Sequence, residues 1–195
     1  MNSTASTPRL GKFTPADLDG PQRALYDAVA GGPRAQGPQL FRLVDEHGGL
    51  EGPFNALLLQ PALGQALQAV GAAIRYGTTL PDRAREIAIL VVAHHRDSDF
   101  EWYTHEAIGR HVGLTGAELT AIREHRYEVF TAIEEQVTAR TAHALLDAGD
   151  LDDDAYAVAV QALGRPQVFE LLTLVGYYDT LALQLRVFRV SAPAG

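Results

Sequence analysis

The sequence predicts an all-α, single-domain protein. Apolar residues recur at helical spacing in most segments, and no stretch sustains a period of two. Pro, Gly, Ser, Thr and Asp interrupt the stripes where helices would start and stop. At 195 residues, 47% hydrophobic and 21% charged, the chain suits one well-buried core, and no internal repeat divides it. The expected organisation is a flexible arm over 1–14, a helical domain over 15–190 and a short tail over 191–195.

Thr14 followed by Pro15 reads as the N-cap and first turn of the first helix. Its stripe of Leu18, Leu25, Tyr26 and Val29 ends at Gly31-Gly32, with a break near Gly20-Pro21. Residues 31–38 are a Gly and Pro rich loop, and a short segment of unassigned type covers 39–47. Gly52-Pro53 opens the next element, where Asn55 sits among Phe54, Leu57, Leu58 and Leu59. Pro61 restarts the chain as a helix to Tyr76 with Leu63, Leu67, Val70 and Ile74 inward, and Gly77 closes it.

A central helix over 82–96 follows, then the turn Asp97-Ser98-Asp99, a helix over 100–111 and another over 116–124 capped by Thr115. Short connections predict antiparallel packing of such neighbours. A long helix over 127–146 would turn Val129, Ile133, Val137 and Leu145 inward. The acidic run 147–154 lacks the alternating ligands, central Gly and closing Glu of a calcium loop, so it reads as a solvated turn. Asp152 or Asp153 caps a helix to Leu163, Gly164 ends it, and Pro166 starts the apolar final helix.

Composition narrows the function. A net charge of −8 and scattered basic residues, only one of them Lys, argue against a nucleic-acid partner. The absence of Cys removes disulfides, thiolate nucleophiles, iron-sulfur ligation and Cys-type zinc sites. The N-terminus has no apolar run of the signal-peptide kind, so a cytoplasmic location is expected. The apolar stretch 168–190 is interrupted by Glu170, Asp179, Gln184 and Arg186. Each charge near a bilayer centre costs about 2.5 to 3.5 kcal/mol, so a buried helix or a subunit interface is expected rather than a membrane span.

Site chemistry concentrates in 81–113, where carboxylates and imidazoles interleave with apolar residues. The central helix is apolar nearly all round from Ile87 to Ala93, as a helix surrounded by protein must be. Glu86 and His94 share a face two turns apart, while Glu101 and His105 are four apart and within reach of each other. A carboxylate beside an imidazole in an apolar setting can be poised for proton transfer near neutral pH. Plainer readings stand beside this one: Glu86 pairing with Arg83, Glu101 and His105 as a surface pair, Trp102 and Tyr103 as core, and His95, Glu106 and His111 as solvated. The run from His94 to His105, with Asp97, Asp99 and Glu101, also contains enough ligands for a divalent ion, although its spacing matches no strict template.

Arg85-Glu86-Ile87-Ala88-Ile89-Leu90, then Phe100-Glu101-Trp102 with His105, then Gly113-Leu114-Thr115, resembles the signature of the carboxymuconolactone decarboxylase family, which shares its fold with alkylhydroperoxidase D. Gly52-Pro53-Phe54-Asn55, Arg75-Tyr76-Gly77 and Gly176-Tyr177-Tyr178 are similar to its Cys-less branch, so the likeness runs from about Leu18 onward. The resemblance implies an alkylhydroperoxidase D-like helical bundle. In the alkylhydroperoxidase or peroxiredoxin-type branch, it implies a Cys-x-x-Cys-x-x-x-His motif after a glutamate. Here Ser98 and Glu101 stand at the two cysteine positions, while His105 and Glu86 match the histidine and the glutamate. Thiol peroxidase chemistry is thereby excluded for this chain.

The decarboxylase branch needs no thiol, metal or organic cofactor. Its chemistry requires a stabilised enolate and a proton delivered to carbon. The resemblance implies His105, Glu86 and Glu101 as catalytic residues, with His105 the acid and a glutamate orienting it or relaying the proton. Phe54, Trp102 and Tyr177 would wall the pocket, Asn55 would donate a hydrogen bond, and Ser98 would join the substrate side. Arg75 or Arg83 would hold a carboxylate of a small acidic substrate such as a carboxylated lactone. Two alternatives remain: a non-catalytic binding or assembly module that has lost its thiols, and a metal-dependent enzyme using the His94 to His105 run. Surplus apolar helix face predicts a homo-oligomer, and the resemblance implies trimers or hexamers.

Overall fold

The computed structural model describes residues 7–36 and 40–192. Among these residues eight helices carry the fold: α1 (Gly20–Ala30), α2 (Pro53–Leu57), α3 (Pro61–Tyr76), α4 (Asp82–His95), α5 (Asp99–His111), α6 (Gly116–Arg123), α7 (Ile133–Ala148) and α8 (Asp153–Phe188). Among the described residues there is no strand, only a single antiparallel bridge between Val44 and Leu50. The protein is all-α, as expected. No helix among them is long and apolar enough to cross a membrane.

Ten consecutive residues of α4, Ala84–Ala93, are buried. The other helices pack around it, with α5, α6, α7 and α8 in direct contact. Most of the apolar core gathers on this helix. A smaller cluster forms where α1 and α2 meet Leu43 and Leu50, and Leu67 of α3 packs against both clusters. At the start of α4, the Glu170 carboxylate on α8 accepts hydrogen bonds from the backbone N–H groups of Thr79 (3.0 Å) and Leu80 (2.9 Å). Beyond its other end, Arg96 pairs with Asp179 of α8.

Local signals explain most boundaries. Asp19 and Gln22 form a reciprocal capping box on α1, and Thr115 and Glu118 form one on α6. Asp152 accepts from Ala155 N at the start of α8. Within α8, Gly164 holds φ 76° and ψ 155°, so two helical pieces meet there as the Gly164 and Pro166 pair predicts.

Three sequence expectations need correction. Thr14-Pro15 starts only a 3₁₀ turn, and α1 begins at Gly20 under the Asp19 cap. Residues 127–129 also form a 3₁₀ turn, after which Phe130 is extended and anchored in the core. The following helix therefore begins at Ile133, with Val129 and Ile133 exposed rather than inward. On α3 the inner face is Gly64, Gln68, Gly71 and Ile74, while Leu63 and Val70 face outward. The reason is close approach: a Cβ at Gly64 would lie 2.4 Å from Leu57 O, so the narrow face packs and the bulky one does not. Near the N-terminus, Arg9 N donates to Phe188 O (2.9 Å) and Phe13 N to the Asn55 side chain (3.0 Å). Residues 1–6 and 193–195 lie outside the described residues.

Gly52 precedes α2 with φ 61°, and a Cβ there would sit 2.2 Å from the Phe100 ring. Gly52→Ala should cost about 1–3 kcal/mol through overpacking, with strain at positive φ added. Calorimetry should show this as a fall of several degrees in Tm.

Candidate functional site

Glu86 is the deepest charged side chain among the described residues, 1% exposed on α4. A buried carboxylate must find partners, and it has two. Its Oε2 lies 2.6 Å from His105 Nδ1 on α5, and its Oε1 lies 3.4 Å from an Arg75 guanidinium nitrogen on α3. Three helices therefore converge on one group.

Burial lowers the pKa of His105, Glu86 opposes that shift, and the Arg75 and Arg34 charges add to it. The ring is thus neutral at physiological pH. Nδ1–H donates to the Glu86 carboxylate, which leaves Nε2 with a free lone pair. Nε2 has no hydrogen-bond partner among the described residues. For Arg75, burial works against the charge, but Tyr178 and Glu86 more than offset it and hold the pKa above its ordinary value.

His105 borders a narrow apolar cavity of about 40 Å³, walled by Phe54, Phe100, Ile108, Tyr177, Tyr178 and Leu181, among others. Tyr178 meets the His105 ring edge-on, 5.1 Å between centroids. Gly71 makes room for Tyr177, since a Cβ there would fall 2.2 Å from the phenol oxygen. A wider cleft of about 460 Å³ adjoins the cavity and shares Arg34, Phe41, Arg75 and Ile108 with it. Glu86, Arg85 and His111 line the cleft as well.

Glu101 also faces the cavity and is 3% exposed. Burial pushes its carboxyl up to about 8, with the nearby Ser98 hydroxyl opposing the rise and the Asp179 charge adding to it. Neither Glu101 oxygen nor Ser98 Oγ completes a hydrogen bond among the described residues, so the Ser98 contact is proximity rather than a bond. Glu101 is mostly protonated at pH 7 and can donate a proton.

The expected site residues therefore divide. Glu86, Glu101, His105, Phe54 and Tyr177 come together at the cavity. Glu101 and His105, four apart on α5, form no hydrogen bond; Glu86 is the partner of His105 instead. Ser98 stands beside Glu101 at the start of α5. Trp102 lies on another side of α5, where its Nε1 donates to Glu106 (2.7 Å) and the Arg123 guanidinium sits 3.9 Å above its ring. Asn55 does not line the cavity, because both ends of its amide are engaged by Phe13 N and Gly11 O (3.1 Å).

Arg83 is held by Glu118 and Glu135, at 2.7 and 2.8 Å, away from the cavity. The His94 to His105 run is not assembled, since His94 turns toward Trp102 and His125 while His105 turns inward. Arg34, Thr104 and Tyr178 line the cavity and were not singled out in the sequence. Arg34 stacks over Phe54 at 5.2 Å, and no carboxylate among the described residues lies within 4 Å of it. It sits in a single 3₁₀ turn, Pro33–Ala35, too short for periodicity to give a signal. Tyr178, immediately after Tyr177 on a helix, is the one that a helical projection alone could have found.

The family model for the carboxymuconolactone decarboxylase family matches residues 61–143, the span that supplies Arg75, Glu86, Glu101 and His105. Over that span the chain is similar to the carboxymuconolactone decarboxylase family. No curated protein matches it. Among solved structures, a protein of unknown function from Agrobacterium tumefaciens, described as a putative antioxidant defence protein AhpD, superposes with a TM-score of 0.66 at 16% identity. That match covers 74% of this chain and all of the other. A variant of the debrominase Bmp8 in complex with 2,3,4-tribromopyrrole superposes with a TM-score of 0.71 at 12% identity, over 100% of this chain and 94% of that one. The apo form of Bmp8 gives 0.71 at 11% identity, over 99% and 94%. At these identities the likeness shows a shared alkylhydroperoxidase D-like fold.

A raised carboxyl pKa links Glu101 to stability. Between the ordinary carboxyl range and about 8 the folded state holds a proton that the unfolded chain releases, so this contribution is complete at low pH and is lost as pH rises through about 8. Glu101→Gln removes the effect. The stability of wild type relative to this variant should fall by roughly 1.4 kcal/mol per pH unit between about pH 5 and 8, as read by urea unfolding across that range.

Proposed function

We propose that this chain is a cofactor-free proton-transfer enzyme of the lyase kind, acting in the cytoplasm on a small carboxylated lactone or related acid. The observation that carries the reading is the 2.6 Å contact from His105 Nδ1 to Glu86, which orients a neutral imidazole with its other nitrogen free. A protonated Glu101 on the same cavity wall supplies the complementary acid. Environments that push two titratable groups apart in this way assign one as base and one as acid.

The proposed step is a decarboxylation. The bond to the departing carboxylate breaks, carbon dioxide leaves, and the electron pair delocalises into the lactone carbonyl as an enolate. Glu101 delivers its proton to carbon, and a solvent proton taken up at Nε2 of His105, which Glu86 orients, is passed on to restore the Glu101 carboxyl. His105 thus acts as the relay and Glu101 as the proton donor, a reversal of the roles that the resemblance implies. Arg34, stacked on Phe54 at the shared rim of cavity and cleft, offers its charge to the substrate anion or the enolate oxygen. The cleft has the volume of a small-ligand site, whereas the cavity holds only the reacting end.

The experiment is a thermal-shift panel of carboxylated lactones and muconate-like acids, followed by an assay of carbon dioxide release. A ligand at a hundred times its Kd should stabilise the protein by about 2.7 kcal/mol. His105→Ala and Glu101→Gln should each lower kcat by about 10² or more with the fold intact. Full turnover in either variant would remove that residue from the chemistry. A panel with no shift would leave the binding or assembly module as the better description.

Self-association is a second part of the proposal. On α8, Phe169 is 71% exposed and Leu183 62%, with Leu172 and Val187 also outward, and on α3 Leu63 and Val70 are exposed. These residues present more apolar face than a lone chain would leave in water. We expect a trimer or hexamer in sedimentation at micromolar concentration, and a shift toward monomer for the double variant Phe169→Asp, Leu183→Asp. A monomeric wild type would refute this.

A further inference from the structure

The imidazoles that the cavity does not use gather at the other end of α4. His95 ends that helix, nine residues and roughly 13 Å along its axis from Glu86. It faces α7, where His143 and Asp147 lie one turn apart on the same side. One ligand atom from each of the three lies within 4.8 Å of the other two, the only such grouping of three or more among the described residues. His143 Nε2 is 3.2 Å from one Asp147 oxygen, and His95 Nδ1 is 3.5 Å from the other. The two rings are half-buried, while Asp147 reaches into solvent.

We propose that His95, His143 and Asp147 bind one divalent transition ion of borderline softness, such as zinc. Ligand atoms at the usual 2.0–2.1 Å from a tetrahedral ion lie roughly 3.4 Å from one another, so the observed separations need only small side-chain rotations. Two imidazoles and one carboxylate favour zinc, cobalt or nickel over calcium or magnesium, which take oxygen ligands. Three protein ligands leave the fourth position to water.

A further contact points the same way. The Tyr127 hydroxyl, on a buried residue, lies 3.1 Å from His143 Nδ1. Without an ion, the phenol donates to Nδ1 and the proton is on Nε2, which faces Asp147 at 3.2 Å. With an ion, the proton sits on Nδ1 and is donated to the Tyr127 oxygen, so Nε2 is free to ligate. A hydrogen bond behind a ligating imidazole, fixing its tautomer and orientation, is the usual support of such a ligand. His125 stands against His143 at 4.2 Å between centroids and screens one side of the ring. An incidental pair of surface histidines would have no buried phenol behind it.

The test is calorimetric titration of the tag-free, chelator-treated full chain with zinc alone, with the cobalt form read by its visible absorption. The expected result is saturable binding of one ion per chain, micromolar or tighter. Asp147→Asn, an exposed change that requires no repacking, should weaken binding by roughly tenfold or more. Tyr127→Phe keeps the ring and removes only the hydroxyl, and should cost about tenfold to a hundredfold. His105→Ala should leave binding unchanged. Absence of saturable binding in wild type overturns the proposal, as does binding that survives both His143→Ala and Asp147→Asn at wild-type strength. Loss of binding on His105→Ala alone would assign the ion to the cavity and overturn it equally.

Discussion

The arrangement depends on one carboxylate placed where water cannot reach it. Glu86 lies inside the ten-residue buried run of α4, and an unpaired charge there would cost several kcal/mol. His105 and Arg75 are the groups that make its position tolerable. Because they come from α5 and α3, the pairing sets how these helices stand around α4. The same contact that satisfies a buried charge also leaves an imidazole nitrogen free at the cavity.

The cavity wall then separates two acid–base groups by environment. His105 is neutral because burial opposes its charge, and Glu101 is protonated for the same reason. One desolvating pocket thus keeps an imidazole unprotonated and a carboxyl protonated at neutral pH. Aromatic residues make up much of the wall, and Arg34, stacked on Phe54, places a positive charge at the rim.

Much of this was legible in the sequence, for identifiable reasons. The all-round apolar run in α4 showed that the helix is buried, and the Gly164 and Pro166 pair marked the kink in α8. Glu86, Glu101 and His105 stood out because polar residues interrupt an apolar stretch. The pairing among them was not legible. Spacing of four favoured Glu101 with His105, whereas the actual partner comes from a different helix nineteen residues back, and only tertiary packing decides that. The inner face of α3 was misread because glycines that allow close approach look like gaps in a hydrophobic stripe. Asn55 and Trp102 were assigned to the pocket by their chemistry, yet one holds the N-terminal arm and the other stacks under Arg123. Arg34 gives no signal in the sequence because one 3₁₀ turn is too short to show a period.

Ser98, Glu101 and His105 occupy successive turns at the start of α5, whereas Glu86 is enclosed in α4. The central buried carboxylate and the other polar groups at the cavity are therefore carried by different helices. The positions where the family resemblance implies a thiol pair hold a hydroxyl and a carboxylic acid here, and both are uncharged in this pocket at neutral pH. Exchanging one uncharged group for another leaves the electrostatic balance around Glu86 untouched, so α4 is not asked to repack. The first two turns of α5 can therefore vary in side-chain chemistry while the buried run of α4 that holds Glu86 stays as it is.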